Sequence, residues 1–209
     1  MNEEDEYVSI GKISDVLLEY ANNCFEEMFK LCPNDYGKVI EKDREIVKKR
    51  YHKSYMNTPQ YDPVLFSNRG YMFSGKNDDN NEYLPEIFKP FLDFINDTWS
   101  VEYNQVVVNW FKSGDDYIPL HIDHVVNMDE HVPIITLSLG DSRIFRIKEN
   151  ESIPFPCDDG IVRNIKPKKD YICKNGDIII LKKNNIVHGI PWMKEGCSRR
   201  ISISFRKYI

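Results

Sequence analysis

The stretch Arg200-Ile201-Ser202-Ile203-Ser204-Phe205-Arg206 alternates charged or hydroxyl side chains with apolar ones. This period of two is typical of a β-strand whose apolar face packs on a core and whose polar face points the other way. Runs rich in β-branched and aromatic residues precede it, at residues 106–111, 134–139, 144–147 and 178–181. Short strands at this spacing predict a mainly β domain built as a sandwich or a barrel.

Turn residues mark two of the connections between these runs. Gly140-Asp141-Ser142 joins two of them and predicts a hairpin loop. Asn175-Gly176-Asp177 predicts a turn that introduces the next strand.

Two helices are predicted ahead of the strands. Apolar residues recur at helical spacing from Ile13 to Phe29, and Ser14 is a suitable N-cap for this segment. A second helical stretch runs through Phe91 to Ile95, with Pro90 in its first turn. We therefore expect an α+β arrangement, with a helical N-terminal extension over residues 1–60 packed against a β-rich domain over residues 61–209.

Composition limits the classes of protein that the chain can belong to. The 209 residues are 41% hydrophobic, which suits one globular core better than two. The first residues are acidic and no apolar run is long enough to cross a membrane, so we expect an intracellular monomer with no membrane contact, in either the cytoplasm or the nucleus. The five cysteines form no C-x-x-C pair and are expected to be reduced packing residues.

Charge is unevenly distributed along a chain whose net charge is −5. Residues 38–53 hold seven Lys or Arg side chains and three Asp or Glu side chains. Two interpretations are open for this segment: the solvated face of a helix, or a patch that contacts phosphate groups.

His121-Ile122-Asp123 is the first candidate metal motif. Side chains two positions apart on an extended segment point to the same side, so the imidazole and the carboxylate can bind one ion. Alone, this motif is equally consistent with a surface strand, and His188 alone with a hydrogen-bonded core histidine. Together, two histidines and one carboxylate form the facial triad that binds non-haem Fe(II) and leaves coordination positions open.

The polar face of the strand predicted at residues 200–206 is an independent indication of a ligand site. It places two guanidinium groups, at Arg200 and Arg206, in a row with the hydroxyl groups of Ser202 and Ser204. This row is well suited to a dicarboxylate ligand, although a solvent-exposed strand face would show the same pattern.

Seven motifs in order give the chain a resemblance to the AlkB-like branch of Fe(II)/2-oxoglutarate dioxygenases. They lie at residues 69–75, 107–111, 114–123, 133–140, 176–181, 188–191 and 200–206. The resemblance implies a double-stranded β-helix, or jelly roll. It also implies that His121, Asp123 and His188 bind iron, that Arg200 faces the distal carboxylate of 2-oxoglutarate, and that Asn109, Ser202 and Arg206 complete the co-substrate site.

The same resemblance implies a reaction. Fe(II), 2-oxoglutarate and O2 together hydroxylate a C–H bond while 2-oxoglutarate is decarboxylated to succinate and CO2. If the hydroxylated carbon is attached to a nucleobase nitrogen, the product collapses to formaldehyde and the repaired base. The predicted substrate is therefore an alkylated base in DNA or RNA.

Three positions depart from the family pattern. Phe111 stands where the family has a tyrosine that contacts 2-oxoglutarate, and Ser202 stands where it has an asparagine. Val125 replaces an acidic residue that would contact the base, and an apolar side chain cannot accept a hydrogen bond from an exocyclic amine. His124 and His131 are expected not to bind the iron.

Substrate contacts are the least constrained part of the prediction. Arg69, Tyr71 and Phe73 belong to a segment that forms part of the substrate lid in the family, where aromatic rings can stack on a base or pack the lid on the core. Val125 and the acidic N-terminus favour an alternative, a hydroxylase or demethylase of a protein side chain or small molecule. A third hypothesis is a metal-binding scaffold without turnover.

Overall fold

The computed structural model describes residues 7–41, 44–57, 72–73, 76–77, 82–123, 128–148, 169–183, 186–194 and 196–209. Within these residues two helices and one 3-10 turn accompany fifteen strands, which are mostly antiparallel. The helices are α1 (Asp15–Lys30) and α2 (Lys89–Trp99), and the 3-10 turn is Glu86–Phe88.

Strands β1 to β15 are numbered along the chain. They are β1 (Val8–Lys12), β2 (Lys38–Glu41), β3 (Arg44–Val47), β4 (Tyr51–Met56), β5 (Met72–Phe73), β6 (Lys76–Asn77), β7 (Glu82–Tyr83), β8 (Gln105–Phe111), β9 (Ile118–His121), β10 (Ile134–Gly140), β11 (Arg143–Lys148), β12 (Lys169–Cys173), β13 (Asp177–Leu181), β14 (Val187–Ile190) and β15 (Arg200–Arg206).

Eleven of the described strands form the two facing sheets of a jelly roll. The large sheet has the order β1-β13-β10-β15-β8-β4-β7, and the small sheet has the order β12-β11-β14-β9. From β8 to β15 the chain passes back and forth between the two sheets. This arrangement is the double-stranded β-helix that the motifs imply, and it confirms the predicted fold class.

The connection at Gly140-Asp141-Ser142 differs from the prediction. The prediction of a hairpin is wrong, because β10 and β11 belong to different sheets. β10 pairs with β13 and β15 in the large sheet, whereas β11 pairs with β12 and β14 in the small sheet. Gly140 has a φ of 87°, a left-handed conformation that glycine adopts without strain. The turn therefore moves the chain from one sheet to the other.

The first sixty residues contribute strands as well as the predicted helix. β1 pairs with β13, and β4 pairs with β8, so both belong to the large sheet. Within the described residues of 1–60, Asp15–Lys30 is the only helix. The expected description of this region as a helical extension is therefore incomplete, and a division at residue 60 stays a prediction.

The basic segment of residues 38–53 forms no helix where the structure describes it. Its residues lie in the antiparallel pair β2–β3 and in the start of β4. The interpretation as a solvated helix face is wrong. Cross-strand pairing with β8 decides the conformation of β4, and no pattern within the segment itself reports that partner.

The helices cover the outer face of the large sheet, as predicted. Ser14 caps α1 by accepting a hydrogen bond from the Leu17 amide at 3.3 Å, and Pro90 lies in the first turn of α2. Apolar side chains of both helices join those of the outer face of the sheet in one core, which includes Met28, Phe91 and Trp110. The four cysteines that the structure describes are free thiols, and Cys157 lies outside the described residues.

A second core lies between the two sheets. Phe111, Ile134 and Phe145 belong to it, together with other apolar side chains of the facing strands. The polar side chains of β8 and β15 open onto the same space, and they bring the predicted site residues there.

Candidate metal and co-substrate site

His121 and His188 lie opposite each other on two paired strands. His121 is the last residue of β9, and its cross-strand partner on β14 is His188. Their ring centroids are 4.6 Å apart. The β14 strand was missed in the sequence, because the run around His188 is short and is interrupted by Gly189 and Pro191.

Asp123 completes a compact group with the two imidazoles. One of its carboxylate oxygens is 3.4 Å from Nε2 of His121, and the other is 3.9 Å from Nε2 of His188. Bonds of about 2.1 Å to a single ion place neighbouring ligand atoms about 3 Å apart, close to these separations. Among the described residues, these three form the only cluster of His, Cys, Asp or Glu side chains that could hold a metal ion.

Backbone carbonyl groups determine which nitrogen of each imidazole faces Asp123. Nδ1 of His121 is 3.0 Å from the Pro119 carbonyl oxygen, and Nδ1 of His188 is 2.9 Å from that of Ile186. A carbonyl oxygen only accepts, so each Nδ1 carries the proton and each Nε2 presents a lone pair. This is the form in which histidine binds a metal. The Phe145 ring stacks on His188 at 5.5 Å.

The electrostatics of the site favour a charged carboxylate beside a neutral His188 imidazole. Burial alone would raise the pKa of Asp123, but Arg206, which donates a hydrogen bond of 2.8 Å, and the two histidines hold that pKa well below its usual range. Burial, aided by His121, lowers the pKa of His188 to about 4. The group therefore presents one carboxylate and two imidazole nitrogen donors, which suit a divalent ion.

Three of the four predicted co-substrate residues line one cavity with the metal group. Asn109 and Ser202 are cross-strand partners on β8 and β15, and Arg206 ends β15 beside Asp123. The described lining also contains Thr136, Ser204 and Arg50, of which the sequence analysis had singled out only Ser204, on the polar face of residues 200–206. The positions of Thr136 and Ser204 can be predicted from the alternation of side chains along their strands. The position of Arg50 cannot, because it depends on the pairing of β4 with β8.

Arg200 occupies a different environment from Arg206. It lies at the other end of β15, it is fully buried, and it is not among the described lining residues. Its Nε donates to Ser138 Oγ at 2.9 Å, and its guanidinium lies 5.0 Å from the Phe111 ring. Burial lowers its pKa to about 10.

The terminal nitrogens of Arg200 test whether the chain fits 2-oxoglutarate. Neither has a hydrogen-bond partner within the part of the chain that the structure describes. A buried guanidinium is costly unless an anion pairs with it. A carboxylate at this end and a metal chelate at the other are what a bound 2-oxoglutarate would provide, so the residues present fit it.

Several predicted positions lie outside the described residues or away from the metal group. Arg69, Tyr71, His124 and Val125 lie outside the described residues, and Phe73 is described as part of β5 but not for its side chain. His131 is exposed and hydrogen-bonded through its backbone to Asp129, away from the metal group. No helix among the described residues has the length and apolar character needed to cross a membrane.

A jelly roll that carries two histidines and one carboxylate around an anion-binding cavity defines the class of non-haem iron oxygenases. Residues 19–206 match the model of the 2OG-Fe(II) oxygenase superfamily, and the chain belongs to this family. It is therefore a dioxygenase that uses Fe(II), 2-oxoglutarate and O2.

Structural comparison agrees with the family. The solved structure of OsALKBH1 has a similar fold, with a TM-score of 0.54 and 16% sequence identity over 97% of this chain and 99% of that chain. A comparison with curated proteins gave no match. The 2OG-Fe(II) oxygenase family and the AlkB-like fold are thus confirmed.

Proposed function

We propose that this dioxygenase removes alkyl groups oxidatively from nucleic-acid bases, in DNA or RNA, and releases formaldehyde, succinate and CO2. His121, Asp123 and His188 hold the Fe(II). Arg206, Asn109 and Ser202 bind the chelating end of 2-oxoglutarate, and Arg200 binds its distal carboxylate. When bound, the iron supplies the oxidation of a C–H bond by O2, coupled to decarboxylation of 2-oxoglutarate.

The chain's own residues prepare this chemistry. The carbonyl groups of Pro119 and Ile186 keep the Nε2 lone pairs of the two histidines directed at the ion. Arg206 donates to Asp123 and so fixes the carboxylate without neutralising it by protonation. The apolar wall formed by Phe145 and Ile190 excludes water from one side of the cavity.

The observation that carries the substrate proposal is the position of Arg50. This residue belongs to the basic segment of residues 38–53, yet it lines the same cavity as His121 and Asp123 and donates a 2.8 Å hydrogen bond to Asn109. The cationic segment therefore adjoins the reacting centre. Arg50 itself is buried, but its neighbour Lys49 is exposed and is suited to the phosphate backbone that flanks a target base.

Aromatic and cationic side chains continue from this segment over the surface. The rings of Tyr36 and Tyr51 lie 4.6 Å apart, and Lys112 Nζ is 3.9 Å from the Tyr51 ring. Lys49 lies over Tyr36 at 5.8 Å. Half-buried aromatic rings next to lysines are a common surface for single-stranded nucleic acid.

The test is turnover on a panel of methylated single- and double-stranded oligonucleotides with Fe(II), 2-oxoglutarate and O2. We expect formaldehyde and succinate in equal amounts from at least one substrate, and none above background from a His188→Ala control. An Asp123→Ala protein should bind Fe(II) at least about 100-fold more weakly. Succinate formed only with a methylated peptide or small molecule would contradict the proposal and support the alternative substrate class.

A further inference from the structure

Gln105 is a buried amide that the site described above does not use. It is the first residue of β8 and is fully buried. Neither Nε2 nor Oε1 has a hydrogen-bond partner within the described part of the chain. Buried amides are nearly always hydrogen-bonded, so this side chain is an exception that calls for a physical explanation.

The position of Gln105 relates it directly to the metal group. Side chains alternate along β8, so Gln105 shares the face of Val107 and Asn109, which both line the cavity. Its cross-strand partner on β15 is Arg206, whose guanidinium donates to Asp123. Gln105 is therefore one cross-strand step from the residue that fixes a metal ligand.

Ser54 extends this unpartnered polar surface on the next strand. It pairs with Val107 across β4 and β8, which places it diagonally beside Gln105 on the same face. The Ser54 side chain is buried, and its Oγ also has no partner among the described residues. An amide and a hydroxyl thus lie together, desolvated, next to Val107 and Arg206, which line the cavity.

We infer that Gln105, assisted by Ser54, recognises the hydrogen-bonding edge of the base whose alkyl group is removed. This inference rests on the proposed function and extends it to the specificity of the same site. It assigns recognition of the base to β8 and β4. The acidic residue that contacts the base in the family is replaced by Val125 in this chain.

The chemistry of the amide fits a base better than the alternative substrates. A glutamine side chain offers a donor and an acceptor in one plane, and a nucleobase presents a donor next to an acceptor on its edge. A methylated ammonium group on a protein would instead require aromatic or acidic surroundings. Enzymes that act on an extruded base read it through such contacts to its edge.

The test compares two single-stranded oligonucleotides on protein loaded with Fe(II) and 2-oxoglutarate in the absence of O2. One carries an N-methylated base and the other an abasic site at the same position. Binding is measured by fluorescence anisotropy. We expect Gln105→Leu to weaken binding of the methylated strand about tenfold, towards that of the abasic strand, and to leave abasic binding unchanged. Ser54→Ala should act in the same direction with a smaller change.

A matched control separates recognition from stability. Tyr103→Phe removes a buried hydroxyl that does have a partner, the Pro133 carbonyl at 2.9 Å, in the core shared by the helices and the large sheet. This control should lower the melting temperature and leave both affinities unchanged. Gln105→Leu should not lower the melting temperature, because it removes an amide without a partner among the described residues.

The outcomes distinguish this inference from the proposed function. If the wild-type protein dealkylates a methylated strand but Gln105→Leu and Ser54→Ala keep the wild-type preference over the abasic strand, the inference alone is overturned. If the wild-type protein neither prefers nor dealkylates any methylated strand, the proposed function fails, and the inference fails with it.

Discussion

At the scale of single residues, burial determines what the charged groups of the site can do. Arg206 and Arg200 begin as equivalent positions on the polar face of one strand. In the fold, Arg206 donates to Asp123, whereas Arg200 keeps only Ser138 as a hydrogen-bond partner among the described side chains. The first fixes a metal ligand, and the second is left with the capacity to bind an anion.

Replacing Arg200 tests that capacity. Arg200→Met should weaken 2-oxoglutarate binding by about 2 kcal/mol, or roughly thirtyfold, because charge-assisted hydrogen bonds to the distal carboxylate are lost. Binding of 2-oxopentanoate, which lacks that carboxylate, should not change. Calorimetric titration of both ligands without O2 measures the difference. An equal loss for the two ligands would show that Arg200 does not contact the distal carboxylate.

His52 provides a prediction for pH. Burial and the positive charges of Lys48, Arg50 and Arg206 lower the pKa of His52 well below its usual value, and Lys48 Nζ lies 2.8 Å from its Nε2. The unfolded chain takes up a proton below about pH 6.5 that the folded protein does not. Stability should therefore fall as the pH drops below that value, by at most about 1.4 kcal/mol per pH unit from this group.

His52→Gln should remove this contribution. Urea unfolding of the metal-free proteins between pH 5 and pH 8 should give a flatter pH profile for the variant than for the wild type. Identical profiles would mean that His52 has the same pKa in both states.

At the scale of elements, features that depend on neighbouring residues were predicted correctly, whereas β4 and the turn at Gly140 depend on pairing with distant residues and were not. The cap of α1 and the proline of α2 are local, and both were predicted from the sequence. β4 was missed, since its partner β8 lies about fifty residues away. The turn at Gly140 was interpreted as a hairpin because turn residues report that the chain bends, and not which sheet it enters next.

The α1 cap gives the prediction for an element. Ser14→Ala removes the acceptor for the Leu17 amide and should lower the free energy of unfolding by about 1 kcal/mol. Ser14→Asp retains a cap and serves as the matched control. Denaturant unfolding measures both, and 2-oxoglutarate affinity should stay at the wild-type value. An equal loss for the two variants would show that the hydroxyl does not act as a cap.

At the scale of the whole molecule, two strands from the first sixty residues, β1 and β4, belong to the sheet that carries the site. β4 covers the flank of β8, and α1 covers the outer face of the large sheet. A chain that begins at residue 61 should therefore expose this core and lack a cooperative thermal transition. A chain that begins at residue 7 is the control and should unfold like the full protein. Cooperative unfolding of residues 61–209 would support the predicted boundary instead.

The sequence by itself determined the local features: strand periodicity, the helix cap, and the two motifs that supply His121, Asp123 and His188. These depend on residues close together in the chain, so their pattern is visible in one dimension. Only the tertiary structure decided which polar groups meet. Cross-strand pairing places His188 against His121, Arg50 beside Asn109 and Gln105 beside Arg206. It also buries Arg200, Gln105 and Ser54 away from water, and buried polar groups are costly unless they are hydrogen-bonded.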